Sequence, residues 1–184
     1  MTVDAGTTGN TDARPLDGER ADLLEALGKQ RHFLRFTVRG LDDEQAGRRT
    51  TVSELCLGGL IKHVTSVERG WSEFVQHGPS AMGDFDRMTE EDFARRADEF
   101  RMLPQDTLED VLAAYDEVAR ATDRLVASLP DLGVSHPLPK APWFEGDARW
   151  SARRVFLHIV AETAQHAGHA DIVREALDGA KSMG

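Results

Sequence analysis

The chain has 184 residues, 40% hydrophobic and 29% charged: enough for one compact domain, and an ordinary composition for a globular one. Its formal charge of −10 argues against a broad positive surface that binds nucleic acid or an anionic membrane, and leaves room only for a local basic pocket. Cys56 is the single cysteine, so no intramolecular disulfide forms, and no apolar run approaches bilayer-spanning length; a cytoplasmic location fits both.

The opening stretch MTVDAGTTGNTDAR is small and polar and reads as a disordered leader over 1–14, with one domain over 15–184. A first helix is predicted over Gly18–Arg39, with Leu23, Leu27, Leu34 and Val38 facing inward and Gly40 as its stop. LDDEQAGRRTT reads as a polar connector. Thr51-Val52-Ser53-Glu54 has the capping-box pattern and is expected to start a second helix that runs to His77. Its seam is Cys56, Leu60, His63, Val67, Trp71 and Phe74, at helical steps.

Between Gly78 and Gln105 the pattern weakens under Pro79, Gly83, Pro104 and a run of acidic residues. A short helix from Thr89 to Arg101 would turn Phe93, Ala97 and Phe100 inward. A third long helix is expected from a capping box at Asp106 to Glu109, carrying Leu108, Val111, Leu112, Tyr115, Val118, Leu125 and Val126 and stopping before Pro130. The segment PDLGVSHPLPKAPWFEGDAR has four prolines and two glycines and predicts an ordered, non-helical loop. Trp143 and Phe144 on it could roof a cavity, and no segment has convincing strand alternation. The last helix spans Trp150–Gly179, with Ser151 as N-cap, Trp150 and Val155 as a hydrophobic staple and Gly179 as its stop. The fold class this predicts is all-α, an up-and-down four-helix bundle with an additional short helix.

Along the last helix Val155, Ile159, Val173 and Leu177 mark a buried stripe, and Glu162, His166 and His169 fall in its middle. A carboxylate and two imidazoles on an apolar seam are costly unless paired or bound to something. Residues four apart on a helix point the same way, so Glu162 and His166 can grip one ion, and His63 can supply a third ligand if the two helices are neighbours. A hydrogen-bonded core cluster is the competing reading, and a lone seam histidine is more often that than a ligand. His169 is open between a fourth ligand, a proton carrier and a group behind the ligands. His158, one turn before Glu162, reads as structural, with a His158–His166 pairing as a rival. His32, His77 and His136 read as surface or loop residues and Cys56 as core. The acidic run from Asp84 to Asp98 reads as a solvated face. Arg31, Arg35, Arg153 and Arg154 read as surface charges, able at most to reach a substrate carboxylate. There is no Gly-rich phosphate loop, nucleophile elbow or zinc-binding cysteine pair.

The segments SELCLGGLIKHVTSVERGW and HIVAETAQHAGHADIVREALDG resemble the DinB/YfiT-like superfamily of metalloenzymes. The resemblance is greatest to its actinobacterial branch, which includes relatives of mycothiol-dependent maleylpyruvate isomerase, and it extends from the first helix to Gly179. It implies an up-and-down four-helix bundle holding a divalent metal, zinc or nickel, through a histidine on the second helix and a pair four residues apart on the last. Here these are His63, Glu162 and His166; many relatives have His in place of Glu162, and other branches have Gln in place of His169. The implied function is a metal-dependent S-transferase or isomerase using mycothiol or another low-molecular-weight thiol. The alternative is a non-catalytic, stress-related bundle whose metal is structural. The expected partners are a small-molecule ligand and, in a homodimer, a second copy of the chain.

Overall fold

The computed structural model describes residues 16, 18–83 and 87–182; the expected leader and the Asp84–Asp86 start of the acidic run lie outside the described residues. The helices among them are α1 (Gly18–Phe36), α2 (Asp43–Gly47), α3 (Leu57–His77), α4 (Glu90–Asp98), α5 (Leu108–Ser128) and α6 (Ala152–Asp178). A 3₁₀ turn follows α3 over Gly78–Ala81. The four long helices pack on one another: α1 against α6 and α5, and α3 against α5 and α6. No helix among the described residues is long and apolar enough to cross a membrane.

A two-stranded antiparallel ladder corrects the purely helical expectation: β1 (Ser135–Pro137) pairs with β2 (Arg149–Ser151). Strands of three residues are too short to leave an alternating pattern, so periodicity does not reveal them. The ladder delivers the chain to the start of α6. There Ser151 Oγ accepts from Arg154 N at 3.2 Å, and Val134 O and Leu132 O accept from Ala152 N and Arg153 N. The orphan donors of the helix start are thus satisfied.

Three other helix starts differ from expectation. The Thr51–Glu54 box does not form; the hydroxyls of Thr51 and Ser53 accept from the amides of Ser53 and Leu55, and Glu54 pairs with Arg49 at 2.6 Å. These local bonds hold the segment in turns, and α3 starts only after Cys56, which makes no side-chain cap. The cap of α5 is Thr107, one residue past the expected Asp106. The connector holds α2, capped by a reciprocal Asp42–Gln45 box, and Asp43 in turn accepts from the Leu108 amide at the start of α5 at 2.7 Å.

Burial follows the seams of α1, α3 and α5, with Leu27, Leu34, Leu60, Phe74, Tyr115 and Val126 at 0–1% exposure. The short helix α4 does not: Phe93 is 59% exposed and Ala97 is exposed too, so only Phe100, beyond its end, turns inward. The thin apolar content of this helix gives it little to bury. On α6 the fully buried line is Val155, Phe156, Ile159, Thr163, Ala167, Ala170 and Val173. Glu162, His166 and His169 therefore flank the core stripe instead of interrupting its centre. The small Thr163, Ala167 and Ala170 take the central positions of a helix that α1 and α3 both pack against.

The apolar core divides in two. One cluster contains Leu34, Leu60, Val64, Val111, Tyr115 and Ala170; the other contains Leu27, Trp71, Phe74, Val126, Phe156 and Ile159. Between them on the helices come buried polar groups: Arg31, Glu68, Thr65, Thr122 and Thr163. Arg31, expected at the surface, is 3% exposed and donates to both oxygens of the fully buried Glu68, at 2.5 and 3.2 Å, and to Asp123 at 2.7 Å. Its position was legible: Leu23, Leu27, Arg31 and Leu34 follow one helical stripe. The other arginines are nearer the surface. Arg35 pairs with Asp116 and lies over the Tyr115 ring, Arg153 pairs with Glu19, and Arg154 covers the Trp150 ring.

Candidate metal centre

His63 comes from α3 one turn after Gly59, and Glu162 and His166 come from successive turns of α6. Because α3 and α6 pack together, one ligand atom of each of the three lies within 4.8 Å of the other two. Glu162 Oε2 and His166 Nε2 are 3.7 Å apart. Ligands at about 2.0–2.2 Å around a tetrahedral ion stand roughly 3.3–3.6 Å from one another, so small side-chain adjustments close the set. The three side chains are 16%, 28% and 11% exposed, in that order, which leaves the cluster reachable from solvent.

The electrostatics suit a ligand set. Burial, then the neighbouring rings of His63 and His169, push His166 down to about 4, so it is neutral with a free lone pair at physiological pH. His63 Nδ1 is buried and finds no hydrogen-bond partner among the described residues. Its ring meets that of His166 edge-on, at 4.8 Å between centroids. Two imidazoles and a carboxylate, donors of type N,N,O, fit a divalent ion of the zinc kind.

His169 stands beside this set, with Nδ1 3.5 Å from His166 Nδ1. His158 joins from the other side, its Nε2 3.8 Å from Glu162 Oε1 and its ring edge-on to Trp71 and Trp150 at 4.9 and 5.0 Å. Burial holds His158 below the ordinary imidazole range; Glu162 opposes that shift and Arg154 adds to it. The expected surface placement holds for His32 and His77, whereas His136 is half-buried on β1 with Nε2 3.2 Å from Val75 O. Cys56 is buried as expected.

Sequence reasoning missed Glu99. Its Oε2 is 3.5 Å from His63 Nδ1, and its Oε1 accepts from Ser66 Oγ at 2.8 Å. Burial alone would raise its pKa, but His63 and Ser66 more than offset that and hold the carboxyl below its usual range. Glu99 lies just past a short helix with a weak apolar pattern, so no periodicity linked it to His63. A cavity of about 340 Å³ opens here, lined by His63, Val67, Trp71, Met82, Glu99 and Phe100 among others. The loop aromatics divide: Phe144 packs near Trp71 and Trp150, at 6.4 and 5.8 Å between centroids, and Trp143 is 61% exposed.

A mostly helical protein with a His-Glu-His cluster between two long helices defines a class of candidate metalloproteins. A family model described as mycothiol-S-transferase matches residues 22–179, and the chain belongs to that family. This bears out the resemblance to the mycothiol-linked, DinB-like branch. A search of the curated proteins found no match.

Proposed function

We propose that the protein is a divalent-metal-dependent S-transferase that uses mycothiol or a related low-molecular-weight thiol, with His63, Glu162 and His166 as the ligands. The convergence of one ligand atom from each within 4.8 Å carries this reading, and the family match supplies the thiol. It favours transfer over isomerisation. Zinc is the ion we assign, with nickel the nearest alternative, because imidazole and carboxylate donors suit both. We read the four packed helices as the up-and-down bundle of the superfamily and place the protein in the cytoplasm, where thiols are kept reduced.

A bound divalent ion would supply Lewis acidity, lowering the pKa of a thiol so that it reacts as thiolate. The chain's own residues do the rest. Glu162 would contribute a negative charge to the ligand set, and so would keep a thiolate held there electron-rich. His166 stays neutral at Nε2, and His169 Nδ1 is placed to accept a hydrogen bond from His166 Nδ1–H, fixing the tautomer that directs Nε2 to Glu162. Transfer then forms a bond from sulfur to the acceptor carbon while the acceptor's leaving group departs with its bonding pair; the thiol proton passes to solvent or a basic neighbour. A structural metal would call for a closed four-ligand site, and His169 is not among the atoms that converge.

The test is to measure metal content and then follow thiol consumption with a fluorogenic alkylating acceptor and mycothiol. Metal-loaded protein should turn over, and chelated protein should not until zinc is restored. Equal rates for the two, both at the uncatalysed level, would reject the enzyme reading.

A further inference from the structure

Among the described residues the buried Nδ1 of His63 has no hydrogen-bond partner, yet the Glu99 carboxylate stands 3.5 Å away. Glu99 is itself held in place, because its other oxygen takes a 2.8 Å hydrogen bond from Ser66, on the same helix as His63. The next residue, Phe100, stacks on the imidazole with centroids 4.0 Å apart and planes 24° from parallel. Lys62 Nζ donates to Arg101 O at 2.9 Å and to Asp106 as well. Residues 99–101 therefore clamp the turn of α3 that carries His63.

The sequence device that admits the clamp is Gly59. A Cβ at that position would lie 2.0 Å from the Phe100 carbonyl oxygen, a backbone atom that no rotamer change can move. Only glycine lets this strip of chain lie directly on α3. The close approach is local to the face of α3 that bears His63, one turn on.

We propose that Glu99 is the positioning residue of His63, accepting the Nδ1 proton so that Nε2 presents its lone pair toward Glu162 and His166. A neutral imidazole has one N–H and one lone pair, so fixing the first fixes the second. The 3.5 Å separation becomes a hydrogen bond after a shift of well under about 1 Å. A carboxylate behind a ligating imidazole also raises its basicity toward the metal. Glu99 has this role only if His63 is a ligand, as proposed above. It does not belong to the converging set of His63, Glu162 and His166.

Zinc affinity, read by competition with a chromophoric chelator, and the visible spectrum of the cobalt(II)-substituted protein test this on wild type, Glu99→Ala and Glu99→Gln. Glu99→Ala should bind zinc about 10–100-fold more weakly, with the melting temperature of the metal-free protein near that of wild type. Glu99→Gln should recover part of the loss, because its amide oxygen still accepts from Nδ1–H. The cobalt bands should shift while keeping the wild-type coordination number. Wild-type affinity in Glu99→Ala would overturn the proposal and leave the metal site standing. A loss far beyond a hundredfold with a changed cobalt coordination number would make Glu99 a ligand, which also overturns it. If wild-type protein holds neither zinc nor cobalt, the metal reading falls and Glu99 loses this role with it.

Discussion

Glu162 Oε2 and His166 Nε2, one helical turn apart on α6, face each other across 3.7 Å. His169 lies on the far side of the same imidazole, 3.5 Å from Nδ1. If the first pair binds the ion directly and His169 only orients His166, then Glu162→Gln should weaken metal retention more than His169→Gln. Loss of a group behind a ligand typically costs about 10–100-fold in affinity. Equilibrium dialysis of both variants against a competing chelator measures this; equal losses would make His169 a ligand.

Acid should destabilise the metal-free protein through His166. Its folded pKa, about 4, lies below the ordinary 6.5, so between those values the unfolded chain holds a proton that the folded chain refuses. Stability from this group is full above about 6.5, is lost as pH falls toward about 4, and falls no further below that. His166→Gln should flatten this part of the melting-temperature profile. With metal bound, protons and ion compete for the same lone pairs, so the gap between loaded and chelated samples should be open at neutral pH and narrow as the pH falls toward the His166 value of about 4.

The Arg31–Glu68 pair should be costly to break from one side. Both groups are buried, so removing Arg31 leaves the Glu68 carboxylate uncompensated in the core, whereas Arg31 without Glu68 would still hold Asp123; Arg31→Ala is expected to lose about 3–5 kcal/mol. Replacing both by apolar residues of similar volume should recover most of that, with Asp123 losing a partner that it meets at 45% exposure. Urea midpoints of the two variants check the sign. A single variant as stable as wild type would contradict the geometry.

Two glycines of α3 should respond oppositely to alanine. At Gly59 the added Cβ strikes the Phe100 backbone, and overpacking of that kind costs about 1–3 kcal/mol. At Gly70 none of the described residues lies within 4 Å of it, so Gly70→Ala should gain roughly 0.5–1 kcal/mol from reduced chain entropy in a helix interior. Thermal melts of the two single variants decide it.

Much of the protein was legible along the chain. The long helices, the seams of α1, α3 and α5, the Ser151 cap and the Gly179 stop all follow from residues within a turn or two of each other. The three converging side chains were legible too, from the four-residue step between Glu162 and His166 and the helical seam that carries His63, although on α6 the pair borders the buried stripe instead of interrupting it. Where the apolar pattern was weak, local rules erred: Phe93 points outward and the Thr51–Glu54 box yields to hydroxyl turns. Capping patterns compete with other short-range bonds, and sequence alone does not rank them.

The sequence by itself determined four long helices and which turns carry His63, Glu162 and His166, because helical periodicity is a local property of the chain. Only the tertiary structure decided what meets across helices. It set Arg31 against Glu68 over 37 residues of chain, and it brought Glu99 to His63 from a segment with no pattern of its own. It also moved the cluster from the centre of the α6 stripe to its edge, where solvent can reach it. Such pairings depend on how closely two backbones approach, as Gly59 allows beneath Phe100, and that distance is fixed by packing between elements, not by propensity within one.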